Sequence, residues 1–217
     1  MSAFVIHTVP GSPFARATLA TLEEKGVAYR VAPVAPGSLR TSDHLARHPF
    51  GRVPVLEHNG FSLYETQAIL RYLDRVLPTP ALTPTDPRAA ARMDQALNIS
   101  DWYLFQGVAN VIGFHRIVRP RLMGLPPDEA AIAEAVPKAH VVVGELARLL
   151  GDNPYLAGGA LSLADLLVAS QMDFIALTPE WSAVSAPHQN LAAWLARVSA
   201  RPSMQATTWE RVAAMAA

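Results

Sequence analysis

The sequence predicts a small α/β domain followed by a larger all-helical one. Three observations carry this: a strand-helix-strand opening, a hairpin that leads into a strongly amphipathic helix, and helical patterning throughout after a proline-dense stretch at residues 77–87. Residues 3–9, Ala-Phe-Val-Ile-His-Thr-Val, form a short apolar strand that Pro10-Gly11-Ser12-Pro13 break. Ser12 followed by Pro13 is a helix start, with a hydroxyl at the cap and proline at the first helical position. The helix then runs from Phe14 to Lys25, with Leu19 and Leu22 on its apolar side and Gly26 as its stop. Tyr29 to Val34 is the second strand, and a strand-helix-strand order favours a parallel pair with a right-handed crossover. Val53 to Glu57, then His58-Asn59-Gly60, then Phe61 to Tyr64 read as a hairpin whose turn carries the Asn-Gly signal. Glu65-Thr66 open a helix with Ile69, Leu70 and Leu73 on one face.

The order β-α-β, then β-β-α, is the thioredoxin-like arrangement. The expected architecture is therefore α/β plus all-α: a thioredoxin-like N-terminal domain at residues 1–78, a linker at 79–87 whose prolines cannot continue a helix, and an all-helical C-terminal domain at 88–217. Helices are expected at about 88–118, 127–150, 163–177 and 188–199, with a short one from Met204. In Leu161-Ser162-Leu163-Ala164-Asp165-Leu166, Ser162 caps a helix, Asp165 returns the bond and Leu161 can staple against Leu166, so the segment reads as the nucleus of a buried helix.

Composition narrows the function classes. The 217 residues, 51% of them hydrophobic, are enough to bury a core without disulfides or metals. The 18 basic and 18 acidic residues are spread along the chain, leaving no basic stripe for nucleic acid. No apolar run approaches the ~18 residues of a membrane span and no cationic leader opens the chain, so no membrane is expected and localisation is read as cytoplasmic. The absence of cysteine removes disulfides, iron–sulfur clusters, thiolate zinc sites and a cysteine nucleophile together. Any thiol must come from a substrate. His44 and His48 have the spacing of a helical metal pair, yet Pro49 ends the helix and no third ligand is evident, so no metal is expected. No phosphate loop, dinucleotide fingerprint or nucleophile elbow is present.

Four segments, Pro10-Gly-Ser-Pro-Phe-Ala-Arg16, Glu23-Glu-Lys-Gly26, His48-Pro-Phe-Gly-Arg-Val-Pro54 and Leu63-Tyr-Glu-Thr-Gln-Ala-Ile69, occur in the order and spacing of the glutathione transferases. The chain resembles that family over nearly its whole length, and most of all its serine-type members, of which the plant phi class is the best known. The capping box at Ser162 matches one the family carries in its helical domain.

The resemblance implies that Ser12 is the catalytic residue, donating to the thiol of glutathione; on the residues alone it is a helix cap. A free thiol has a pKa of about 8.5, and lowering it by ~2 units takes ~2.7 kcal/mol of preference for the thiolate. A well-aimed hydroxyl at a helix N-terminus can supply most of that. Arg16, one turn on, is a supporting charge. The first tyrosine, Tyr29, lies beyond the first helix, which disfavours the tyrosine-type members, and zero cysteine excludes those that form a mixed disulfide; Thr8 is the second hydroxyl candidate. The resemblance further implies a cis peptide at Val53-Pro54, with Val53 pairing its backbone with the cysteinyl part of glutathione; the alternative is an edge-strand proline. Thr66, where the family most often has serine, would hold the γ-glutamyl carboxylate and Glu65 the α-amino group; without ligand the two are a capping pair. Phe14 belongs to the same glutathione-binding set. Where phi-class members place histidine and lysine, this chain has Leu39 and Arg40, and where they place glutamine it has Arg52. Arg40 and Arg52 together would hold the glycine carboxylate, or else are solvated surface arginines.

Tyr103, Gln106, Asn110 and Phe114 fall within one expected helix and are candidates for the electrophile pocket, with Trp102 and Phe105 on other faces; aromatic residues at this spacing also fit a core. The function implied is attack of enzyme-bound glutathione thiolate on a small hydrophobic electrophile, by conjugation or peroxide reduction, in a detoxifying role, with glutathione as co-substrate. The alternative is a non-catalytic binding protein on the same fold. The resemblance also implies a homodimer, with Phe50 and the long helix from Arg88 as interface elements.

Overall fold

A five-residue strand, β1 (Phe4–Thr8), begins the computed structural model, which describes residues 4–35 and 37–215. Its apolar residues feed the helix α1 (Pro13–Glu24), capped by Ser12 with Pro13 in the first turn, and β2 (Tyr29–Pro33). A single turn of 3₁₀ helix at Ser38–Arg40 precedes α2 (Ser42–Arg47). Then come β3 (Val55–His58), β4 (Phe61–Tyr64) and α3 (Thr66–Val76). The strand order is β2-β1-β3-β4, with β1 parallel to β2 and the other two pairs antiparallel. The β3-β4 hairpin turns through Asn59 (φ 51°) and Gly60 (φ 81°), the pair of positive φ values that an Asn-Gly turn supplies at least cost.

Two compact units are formed: residues 4–81 together with 200–215, and residues 82–199. In the first, Phe4, Ile6, Val31 and Leu56 of the sheet pack with Leu19 and Leu22 of α1 and Ile69 and Leu73 of α3, the burial that stabilises an open sheet against helices. Lys25, at the end of α1, is buried and its Nζ lies 2.6 Å from Asp74 Oδ1 of α3 while also donating to the Pro80 carbonyl.

The last segment departs from the all-helical domain expected for residues 88–217. Residues 200–215 form α10 (Pro202–Ala206) and α11 (Trp209–Met215) and pack within the first unit. Arg201 forks onto the Glu24 carboxylate at 2.7 and 2.8 Å, Arg16 Nη2 donates to the Met204 carbonyl at 3.2 Å, and Val212 joins the sheet core. These partners lie far apart in sequence, which is why local patterning did not reveal them.

The second unit contains α4 (Pro87–Ile99), which continues through a wider-wound segment, Ser100–Val118, and then α5 (Arg119–Met123), α6 (Glu129–Leu150), α7 (Leu163–Ala176), α8 (Trp181–Ser185) and α9 (Gln189–Ser199). The expected single helix over 88–118 is broken at Gln106 (ψ 111°) and Gly107 (φ 83°). Asn110 Oδ1 accepts the Gly107 N–H at 2.7 Å, which caps the restart. α7 is almost wholly buried and starts at the capping box of Ser162 and Asp165. α8 and α11 add to the helices that the sequence predicts, and α10 starts at Pro202 rather than Met204.

Candidate functional site

Strand register decides where the site lies. His7 of β1 pairs with Val55 of β3, Val55 pairs with Tyr64 of β4, and Thr8 pairs with Pro33 of β2. The exits of β1, β2 and β4 and the entry of β3 therefore share one edge of the sheet. Ser12 follows β1, the Ser38–Arg40 turn follows β2, Val53-Pro54 precede β3, and Glu65-Thr66 follow β4. Topology thus brings Ser12, Arg40, Arg52, Val53, Pro54, Glu65 and Thr66 to that edge, together with the N-termini of α1 and α3.

Ser12 caps α1 in extended backbone (φ −71°, ψ 117°), and its Oγ accepts the Ala15 N–H at 3.3 Å. A hydroxyl that accepts in this way keeps its hydrogen for another partner, so capping and donation to a ligand are compatible. Thr8 is fully buried and gives its hydroxyl hydrogen to the Val9 carbonyl at 3.1 Å, whereas Ser12 is only half-buried. Phe14 is half-buried on the first turn of α1, and Arg16 is occupied with the Met204 carbonyl.

The Val53-Pro54 peptide is cis. Glu65 is held at φ 71°, ψ 112°, a conformation costing about 1–3 kcal/mol for a non-glycine residue, and such strain persists where the surroundings fix it and clusters at ligand sites. Glu65 is exposed, Thr66 is buried, and the Glu65 side chain makes no cap hydrogen bond to α3, whose N-terminus carries the positive end of the helix dipole.

Arg40 is exposed and lies over Gly51: a Cβ on Gly51 would fall 3.2 Å from both Arg40 Cδ and Nη1. Since Arg52 is the next residue, the two guanidinium-bearing residues border the same short segment. Beneath it, His44 Nε2 is 2.9 Å from the Arg52 carbonyl, and buried His48 packs on Tyr64 at 4.7 Å between centroids with the rings tilted by 33°. The two histidines thus brace the backbone of residues 48–54. Burial pushes the His48 imidazole below its ordinary value, an effect that Glu65 partly opposes. Gly51 and the histidine brace add to the residues that the sequence points to, and their local signal is the Pro-Phe-Gly run after His48.

Tyr103 and Gln106 line a groove of about 470 Å³ on the helical unit, with Ile99, Trp102, Lys138, Val141, Val142 and Glu145. Asn110 and Phe114 lie outside it, and Asn110 is engaged in the cap of Gly107. Trp102 and Tyr103 are largely exposed, 70% and 65%. Among the described residues no group of three or more His, Cys, Asp or Glu is arranged to hold a metal, and no helix is long and apolar enough to cross a membrane.

A thioredoxin-like sheet with two helix N-termini at one edge, followed by an all-helical unit, defines a two-part class of protein. Residues 4–75 match the N-terminal domain of glutathione S-transferases and residues 109–202 their C-terminal domain. A probable glutathione S-transferase GSTF2 of Oryza sativa subsp. japonica is 34% identical over 190 residues, 86% of this chain and 87% of its own. Glutathione S-transferase 4 of Zea mays is 32% identical over 199 residues, 88% of this chain and 86% of its own. The crystal structure of glutathione transferase F7 from Populus trichocarpa superposes with a TM-score of 0.84 at 26% identity, covering 99% of both chains. A glutathione S-transferase-I bound with lactoylglutathione superposes with a TM-score of 0.83 at 28% identity, covering 98% of this chain and 99% of that one. The chain belongs to the glutathione S-transferase family.

Proposed function

We propose that this enzyme binds glutathione along the sheet edge and ionises its thiol with the Ser12 hydroxyl, for attack on a small hydrophobic electrophile. The observation that carries the reading is Ser12 at the N-cap of α1, accepting from Ala15 and so keeping its hydrogen to donate. A thiolate there accepts that hydrogen and faces the positive end of a 12-residue helix, and both effects favour the anion over the thiol. About 2.7 kcal/mol of such preference brings a thiol two units down, into the neutral range.

The remaining residues position the tripeptide. Thr66, at the N-terminus of α3, takes the γ-glutamyl carboxylate, Glu65 the α-amino group, and the Val53 backbone at Pro54 the cysteinyl unit. Arg40 and Arg52 take the glycine carboxylate, with Phe14 at the opening of α1. Tyr103, Gln106, Asn110 and Phe114 are the residues assigned to the electrophile. Held in this way, the thiolate needs no further chemistry from the protein than orientation and charge stabilisation. Peroxide reduction uses the same thiolate: its sulfur attacks the peroxide O–O bond and releases the alkoxide, and a second glutathione then displaces water from the glutathione sulfenic acid to give the disulfide. A homodimer in the cytoplasm with a detoxifying role is the setting we assign; Phe50, 60% exposed beside His48 and Tyr64, is a surface that supports self-association.

The test is ultraviolet titration of the bound thiolate across pH in the wild-type protein and in Ser12→Ala. The wild type should develop thiolate absorbance well below pH 8, and the variant should lose it together with about 100-fold of turnover. Unchanged turnover in a folded Ser12→Ala protein refutes the assignment.

A further inference from the structure

The turn that presents Ser12 is short of internal support. The backbone hydrogen bond that closes it, from Ser12 N–H to the Val9 carbonyl, is long at 3.4 Å. Gly11 sits in the turn with φ 86°, a conformation that glycine alone adopts freely. The space where a side chain of residue 11 would stand is filled by the indole of Trp209: a Cβ on Gly11 would lie 2.3 Å from Trp209 Cε3 and Cζ3 and 2.7 Å from Cδ2. The six-membered ring of that indole therefore rests against the Gly11 backbone, one residue before the hydroxyl.

Trp209 is itself fixed from both sides. It opens α11, whose Val212 is buried in the sheet core. The segment before it is pinned to α1 by Arg201 and Ser203 on Glu24 and by the Met204 carbonyl on Arg16. These bonds reach α1 near both its ends, so the segment carrying Trp209 is referenced to the helix that Ser12 caps.

We propose that Trp209 is a positioning residue for Ser12: its ring forms the floor of the 9–12 turn and sets the height of the hydroxyl over the thiol. This rests on the reading of Ser12 given above. The physical case is one of packing. An aromatic ring locked against glycine backbone leaves no adjustable side chain between the two, so the turn cannot sink or rock without displacing the ring. A ligand bond to sulfur is directional, and a displacement of about 1 Å in a catalytic group can cost on the order of 100-fold in rate.

The experiment compares Trp209→Ala, Trp209→Phe and Trp209→Leu with Ser12→Ala, reading the pH midpoint of bound-glutathione thiolate and the separate values of kcat and KM. Trp209→Ala should raise the thiolate midpoint and lower kcat by about 10- to 100-fold, with KM for glutathione changed far less, because the tripeptide's carboxylates are held elsewhere. Trp209→Phe, which restores a six-membered ring, should recover most of both. If Trp209→Ala does not fold, Trp209→Leu keeps apolar bulk without a flat ring and is expected to shift the midpoint in the same direction. A wild-type midpoint in Trp209→Ala or Trp209→Leu, while Ser12→Ala loses the thiolate, overturns the positioning role and leaves Ser12 standing. A thiolate retained in Ser12→Ala overturns both.

Discussion

At Gly51 the backbone takes φ 61°, and a Cβ there would come 2.6 Å from the Leu39 carbonyl oxygen and 3.2 Å from the Arg40 side chain. Neither obstacle is trivial, since one is backbone and the other is a guanidinium-bearing chain assigned to the glycine carboxylate. Gly51→Ala should therefore cost about 1–2 kcal/mol from the left-handed conformation, push the Ser38–Arg40 turn outward, and raise KM for glutathione several-fold with a smaller change in kcat. Steady-state kinetics at varied glutathione, with a denaturant midpoint on the same sample, tests this; lost stability with an unchanged KM would detach Arg40 from the ligand. The contrast with Ser12 explains what was legible residue by residue. Ser12-Pro13, Val53-Pro54 and Glu65-Thr66 announce themselves through adjacent residues: a cap, an X-Pro bond and a strand-to-helix junction. Gly51 and Trp209 matter through contacts with Leu39, Arg40 and Gly11, which no local pattern encodes.

The same division holds for elements. The capping box of α7 was readable because Ser162 and Asp165 lie three apart, but Asp165 does more than cap. Its Oδ2 accepts the Ser162 N–H at 2.8 Å and the Ser162 hydroxyl at 2.6 Å, while its Oδ1 accepts the Leu156 N–H at 2.9 Å and the Trp194 indole N–H at 2.8 Å. One carboxylate thus ties α7 to the loop before it and to the buried Trp194 of α9. Burial pushes its carboxyl pKa up, and the four donors oppose that push by favouring the anion. Asp165→Asn keeps the shape but replaces an acceptor with an N–H₂ group facing donors, so at least one buried donor loses its partner. A loss of about 2–4 kcal/mol is expected, read as a fall in the urea midpoint of the folded enzyme; a shift below about 0.5 kcal/mol would mean the network is not held as drawn. In the long helix the apolar spacing through residues 88–118 masked the break at Gln106-Gly107. A lone glycine costs a helix only ~1 kcal/mol, so the sequence alone did not require the bend that Asn110 completes.

For the molecule as a whole, the shifted groups divide by pH window and by unit. Burial holds His7 below the ordinary imidazole value of 6.5, despite Glu57 Oε1 at 3.0 Å from its Nε2, and burial does the same for His48. For each, the unfolded chain binds a proton more readily than the folded one. Stability is therefore full above about pH 6.5 and falls as pH drops through the lowered folded values. The carboxylates that are shifted downward act in a more acidic window: burial raises Glu24, but hydrogen bonds from Arg201 and Ser203 outweigh it, and the stability that results is lost only as pH falls below the ordinary value of 4.5. Among the groups shifted downward, those that take up protons between pH 7 and 5 are thus the two histidines, both in the unit of residues 4–81 with 200–215, while Asp165, shifted upward in the other unit, acts with the opposite sign. Lowering pH across that range should reduce the urea midpoint, and hydrogen exchange corrected for intrinsic rates should show protection falling in β1, β3 and α2 before the helices of residues 82–199. His48→Gln should make the midpoint less dependent on pH, since it removes one of the two titrating groups. A midpoint flat from pH 7 to 5, or protection lost first in α6 and α7, would show that these imidazoles are not what couples protons to folding.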